Sequence, residues 1–96
     1  MLILVTYDVE TTTPRGQHRL QRVARACMNY GQRVQNSVFE CVLDFSHYTK
    51  LKLELKSIMD EQHDTIRFYN LGNNFCAKVE TLGVKHGINV EEELIL

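Results

Sequence analysis

The sequence predicts an α+β sandwich of order β-α-β-β-α-β, with two helices laid over one face of a sheet. Three observations predict it. The chain opens on an apolar run rich in β-branched residues, Met1-Leu2-Ile3-Leu4-Val5-Thr6, which turns polar at Asp8 and reads as a central strand. Two stretches then carry apolar residues at helical spacing, from Arg15 to Tyr30 and from about Ser46 to Gln62. Alternating segments lie between and after them, at 37–44 and 64–72.

Each element has its own signals. In the first strand Asp8 and Glu10 share one face at the carboxyl end, and Tyr7 and Val9 share the other. Thr13 is placed to cap the first helix and Pro14 suits its first position. Leu20, Val23, Ala24, Cys27 and Tyr30 form its buried stripe, and Gly31 is its expected stop. A short strand, a reversal near Gln35-Asn36-Ser37 and a longer strand with Phe39, Cys41 and Leu43 on one face follow. One continuous bent strand is the alternative, because no Asn-Gly turn is present. The second helix points Tyr48, Leu51, Leu55, Ile58 and Met59 inward, and the last strand alternates Ile66 and Phe68 against Arg67, Tyr69 and Leu71. This order is that of a ferredoxin-like sandwich. Residues 1–72 are its expected core, and 73–96 an expected tail with short strands at 77–82 and 90–96, the last an extra C-terminal strand packing on a partner subunit. Ile3, Val5, Phe39 or Phe68 are expected on the open sheet face, where a second copy would cover them.

Composition narrows the class. Ninety-six residues with 44% apolar and 24% charged content make one ordinary globular domain. No apolar run approaches the roughly 20 residues of a membrane span, and the N-terminus has no signal-peptide pattern, so a cytoplasmic protein with no membrane association is expected. Cys27, Cys41 and Cys76 are widely spaced and are expected as free thiols, not zinc ligands. The net charge of -1 hides an asymmetry: Arg15, Arg19, Arg22, Arg25 and Arg33 lie in a stretch, 11–35, that holds no Asp or Glu. That face either grips phosphates, as its lack of balancing acid favours, or is a solvated helix surface. Asp8 either holds a divalent cation or bonds the following loop. Tyr7 is core or a hydroxyl facing substrate, and Arg33 beside Phe39 is a phosphate clamp or strand-surface filling. The four histidines are scattered, and no glycine-rich phosphate loop occurs.

Tyr7-Asp8 at a strand end, an arginine-bearing helix and the run Gly31-Gln32-Arg33-Val34-Gln35-Asn36-Ser37-Val38-Phe39-Glu40 together resemble the CRISPR-associated protein two family. That family supplies the small subunit of the spacer-acquisition complex of bacterial adaptive immunity. The resemblance spans residues 1 to about 72, and the tail with Leu71-Gly72-Asn73-Asn74 is similar to members from subtype I-C systems. It implies a homodimer with open sheets facing each other. It implies Asp8 as the metal-binding aspartate, with Tyr7, Arg33 and Phe39 as the other catalytic positions and Arg19 and Arg22 as the helix arginines. Where many relatives carry further aspartates this chain has Glu10 and then Thr11-Thr12-Thr13, so a second ligand within one chain would be Glu10 or water.

The function implied is a magnesium- or manganese-dependent endonuclease cutting duplex DNA or single-stranded RNA, acting in acquisition of new spacers with a CRISPR integrase subunit. Its nucleic-acid contacts would be Arg15, Arg19, Arg22, Arg25 and Arg33. The alternative is a non-catalytic DNA-binding scaffold of the same complex. A metabolite-binding regulator is the remaining class, and no ligand loop supports it.

Overall fold

The computed structural model describes residues 1–74 and 79–82. Strand β1 (Leu2–Asp8) leads through a loop into helix α1 (Pro14–Met28). The hairpin β2 (Gln32–Gln35) and β3 (Val38–Val42), helix α2 (Phe45–Ile58) and strand β4 (Thr65–Asn70) follow. The four strands form one sheet in the order β2-β3-β1-β4, with β1 antiparallel to both β3 and β4. This is the predicted ferredoxin-like α+β sandwich. The hairpin is a true reversal at Asn36-Ser37, and its register shifts between Arg33 and Gln35, a bulge at Val34. The tail strands expected at 77–82 and 90–96, and their packing on a partner, fall wholly or largely outside the described residues, and 79–82 carry no regular secondary structure.

Local chemistry explains the helix starts. Thr13 is extended and its side-chain oxygen accepts the Gly16 N–H at 3.1 Å, with Pro14 as first helical residue. Asp44 caps α2 one residue earlier than expected, accepting the His47 N–H at 2.7 Å. Both helices stop short of the predicted ends. Helix α1 ends at Met28, with Gly31 in ordinary backbone; among the described residues Gly72 alone has positive φ, at 79°. Gly31 is required for another reason: a Cβ there would collide with the Glu40 carbonyl and stand 2.5 Å from Cys41 Sγ and 2.8 Å from its Cα.

Helix α2 ends at Ile58 because carboxylates capture the N–H groups that a continuing helix would have used. Asp60 accepts from the Gln62 N–H at 3.0 Å, while its own N–H donates to Asp64 Oδ2 at 2.9 Å. Asp64 is the organising group. Among the described residues it is the one buried polar or charged residue. Its Oδ1 accepts the Glu10 N–H at 3.1 Å and Arg19 Nη2 at 3.2 Å, and its Oδ2 accepts Arg19 Nε at 2.8 Å as well as the Asp60 N–H. Gly16 completes this corner, since a Cβ there would run into the Glu10 carbonyl. The β1 exit, the first turns of α1 and the α2–β4 loop therefore meet on one carboxylate.

The core lies between sheet and helices. Ile3, Val5 and Tyr7 of β1, Phe39 and Cys41 of β3, Val23, Ala24, Ala26 and Cys27 of α1, and Leu51 and Leu55 of α2 form it. This corrects the expected open face. Ile3, Val5 and Phe39 are fully buried under the helices, and Phe68 packs partly against the same core, its ring 5.9 Å from that of Tyr48. Strand alternation leaves Leu4, Thr6 and Asp8 on the far face, with Glu40 and Val38 opposite them on β3 and Tyr69, Arg67 and Thr65 on β4. The open face is mixed, not uniformly apolar.

Two expectations follow. Gly31→Ala forces backbone apart where the turn between α1 and β2 meets β3, and should lower stability by about 2 kcal/mol in urea unfolding; an unchanged midpoint would mean that the β3 backbone yields freely. The second concerns acid. Desolvation pushes the Asp64 carboxyl up, but the Arg19 guanidinium and the Asp60 and Glu10 N–H groups outweigh it and hold it below the usual carboxylate range. The unfolded chain thus takes up this proton first, so stability is full above about pH 4 and falls as pH drops toward the lowered native value. Hydrogen bonding to Asp60 raises His63, which works in the opposite direction: its contribution is complete below about pH 6.5 and is lost as pH rises through the raised value. Unfolding midpoints measured between pH 2 and 8 should therefore peak between these limbs, and the acid limb should flatten in Asp64→Asn.

Candidate functional site

Asp8 is the last residue of the central strand, and burial explains why it is available. Alternation places Tyr7 in the core and turns Asp8 to the open face, where it is exposed. No hydrogen bond or ion pair engages its carboxylate among the described residues. It borders a concavity of about 310 Å³ lined by Thr6, Tyr7, Asp8, Thr65, Arg67 and Tyr69. The strand register builds this group, since Thr6 pairs with Arg67 and Asp8 with Thr65 across β1 and β4. Tyr69 accompanies Arg67, and hydrogen bonding to its hydroxyl holds the Arg67 guanidinium above its ordinary value. Arg67, Thr65 and Tyr69 were not among the residues expected here. The period-two pattern of 65–70, paired antiparallel with β1, is the signal that finds them.

The donor set suits a hard divalent cation. The Asp8 carboxylate and the Thr6 and Thr65 hydroxyls are oxygens, the atoms that magnesium and manganese take. One chain furnishes one carboxylate to this concavity, and among the described residues no group of three or more His, Cys, Asp or Glu gathers anywhere. Glu10 is exposed beyond the strand end, its carboxylate accepting the Thr12 hydroxyl at 3.0 Å. Cys27 and Cys41 are fully buried in the core, and burial pushes their thiols up to about 12 and about 11, which disfavours the thiolate that a nucleophile needs.

Tyr7, Phe39 and Arg33 form a second cluster, on the helix side of the sheet. The Tyr7 and Phe39 rings stack with centroids 6.1 Å apart, and the Arg33 guanidinium sits 5.3 Å over the Phe39 ring. Arg33 is exposed, Phe39 is fully buried and Tyr7 is 5% exposed. The Tyr7 hydroxyl donates to the Asn36 carbonyl at 3.2 Å and so pins the hairpin turn. Burial raises its pKa, and hydrogen bonding to Arg33 opposes that only in part. Tyr7 is thus core, and Phe39 is a platform beneath Arg33. The sheet separates this cluster from Asp8.

The helix arginines divide as well. Arg15, Arg22 and Arg25 are exposed on the outer side of α1, and a groove there is lined by Pro14, Arg15, His18, Arg19, Arg22 and Ile58. Arg19 departs from its expected role. Its side chain is 17% exposed and both its Nε and Nη2 are spent on Asp64, so it is a structural residue and not a free phosphate contact. The sequence pattern at i, i+4 and i+7 could not separate it from its neighbours, because the partner lies 45 residues away. No helix among the described residues is long and apolar enough to cross a membrane.

Known proteins fit this architecture. Residues 1–79 match the family profile described as CRISPR associated protein Cas2. The chain is 57% identical over 95 residues to the CRISPR-associated endonuclease Cas2 of Halalkalibacterium halodurans, covering 99% of each. It is 53% identical over 96 residues to the CRISPR-associated endoribonuclease Cas2 of Nitratidesulfovibrio vulgaris, covering all of this chain and 94% of the relative. Among solved structures, Streptococcus pyogenes Cas2 at pH 6.5 superposes with a TM-score of 0.76 at 55% identity, over 86% of this chain and 100% of that one. The chain belongs to the CRISPR-associated Cas2 family.

Proposed function

We propose that this chain is a metal-dependent endonuclease of CRISPR adaptation, acting as a homodimer with an integrase subunit on duplex DNA or single-stranded RNA in the cytoplasm. The observation that carries this reading is the Asp8 carboxylate, without a partner among the described residues, at the end of the central strand beside Thr6, Thr65 and Arg67. Relatives named endonuclease and endoribonuclease support the reaction class. Two copies meeting over their open faces would bring two Asp8 carboxylates to one cation, the number magnesium takes alongside phosphate and water. A magnesium or manganese ion held there supplies Lewis-acid polarisation of the phosphodiester and an activated water.

The chain's own residues do the rest. Asp8 binds through its carboxylate, and Arg67 offers a cation to the phosphate that enters the concavity. Arg33, braced on Phe39, and the exposed Arg15, Arg22 and Arg25 hold backbone phosphates on the helix side. None of these contacts reads a base edge, so binding is insensitive to sequence. The test is cleavage of both substrates with magnesium and with EDTA. Wild type should cut only with the metal, and a folded, dimeric Asp8→Ala should lose at least about a hundredfold of that activity. Equal cutting by both proteins would remove Asp8 from the chemistry.

One observation favours a second reading, a DNA-binding scaffold without catalysis. The arginine surface of α1 and the Asp8 concavity lie on opposite sides of the sheet, so phosphate binding on the helices needs nothing from Asp8. No cleavage by either protein, with duplex binding intact, would select it. Under both readings, replacing Arg15, Arg22 and Arg25 together by Ala should weaken duplex binding and cut its salt slope by up to about 2.7, which is about 0.9 for each phosphate left without its arginine. An unchanged slope would place the nucleic acid elsewhere.

A further inference from the structure

We propose that Asp64 and Arg19 are positioning residues for the Asp8 carboxylate and set the protein's affinity for its divalent cation. This rests on the reading of Asp8 as the metal ligand. Asp8 has no side-chain partner among the described residues, and the course of its backbone sets the direction in which its carboxylate leaves the strand. That backbone is held past its end by the Asp64 carboxylate and across the sheet by the strand that Asp64 leads into. Glu10, two residues past Asp8, donates its N–H to Asp64 Oδ1 at 3.1 Å. Thr65, the residue after Asp64, is the strand partner of Asp8. The β1 exit and the β4 entry therefore share an anchor at the level of Asp8.

Asp64 and Asp8 lie on opposite sides of the sheet, and this decides how the anchor acts. The Asp64 carboxylate is buried on the helix side, saturated by two backbone N–H groups and the Arg19 fork. It touches neither the concavity nor any substrate within it. Arg19 contributes by fixing the carboxylate: Nε and Nη2 address different oxygens at 2.8 and 3.2 Å, which sets the plane in which Glu10 and Asp60 find their acceptors. An Asn at 64 keeps the shape but turns an NH2 toward donors that need an acceptor, and this frees either the Glu10 or the Asp60 N–H. Gly16 packs directly against the Glu10 carbonyl, where a Cβ would not fit.

Manganese affinity of the full chain, measured by calorimetry, tests the proposal. Wild type should bind with an affinity that Asp8→Ala abolishes. Asp64→Asn should weaken it about tenfold, the scale seen when a group that orients a metal ligand is removed. Arg19→Lys, which keeps the charge but not the fork, should weaken it in the same direction, and it decides the matter if Asp64→Asn fails to fold. Duplex affinity without metal should not change in either variant, because Arg15, Arg22 and Arg25 remain. Leu55→Val, a core change away from the corner, should lower the melting temperature and leave manganese binding intact; an equal loss of binding there would reduce the effect to general destabilisation and overturn the proposal. Wild-type manganese affinity in folded Asp64→Asn or Arg19→Lys would overturn it while Asp8 stands as ligand. Binding that is absent in wild type, or that survives Asp8→Ala, would instead overturn the metal reading and this inference with it.

Discussion

A single buried carboxylate governs the geometry of this domain. Taking Asp64 out of water is unfavourable, and it is offset because four donors converge on two oxygens. Those donors come from three segments, so the charge is satisfied only when the loop after β1, helix α1 and the loop before β4 are in place together. An apolar contact at the same corner would tolerate sliding. A fork meeting a carboxylate does not, and this gives the end of the sheet a defined position.

The sheet then acts as a partition. On its helix side, Tyr7, Phe39 and Arg33 form a packed stack that presents one guanidinium at the edge strand. On the other side, the same strand β1 delivers Asp8 to a shallow hollow with Arg67 and two threonines. Neighbouring residues of one strand thus serve different surfaces, Tyr7 inward and Asp8 outward, because a strand alternates. Adjacency in sequence, which makes Tyr-Asp look like one catalytic unit, is here a separation in space.

Much of this was legible from the residues, and the reasons differ by element. The strand character of 2–8, the Thr13-Pro14 helix start and the alternation of 38–42 are local signals, and local signals carried through. Asp8 was readable as an exposed carboxylate for the same reason: polarity entering at a strand end. The misplaced open-face residues came from knowing that one sheet face would be bare without knowing which, and Ile3 with Val5 went to the covered one. Asp64 and Arg19 escaped because their meaning is a contact across 45 residues. Arg67 escaped because its value depends on which strand pairs with β1.

The bulge at Val34 bears on how molecules of this kind meet. It falls on β2, an edge strand four residues long, where the irregular register spoils the row of backbone groups that another strand would need. The opposite edge, β4, is six residues of regular ladder, and the described residues place no such interruption in it. Among the described residues the two borders of the sheet therefore differ, an interrupted row of backbone groups on β2 and an unbroken one on β4.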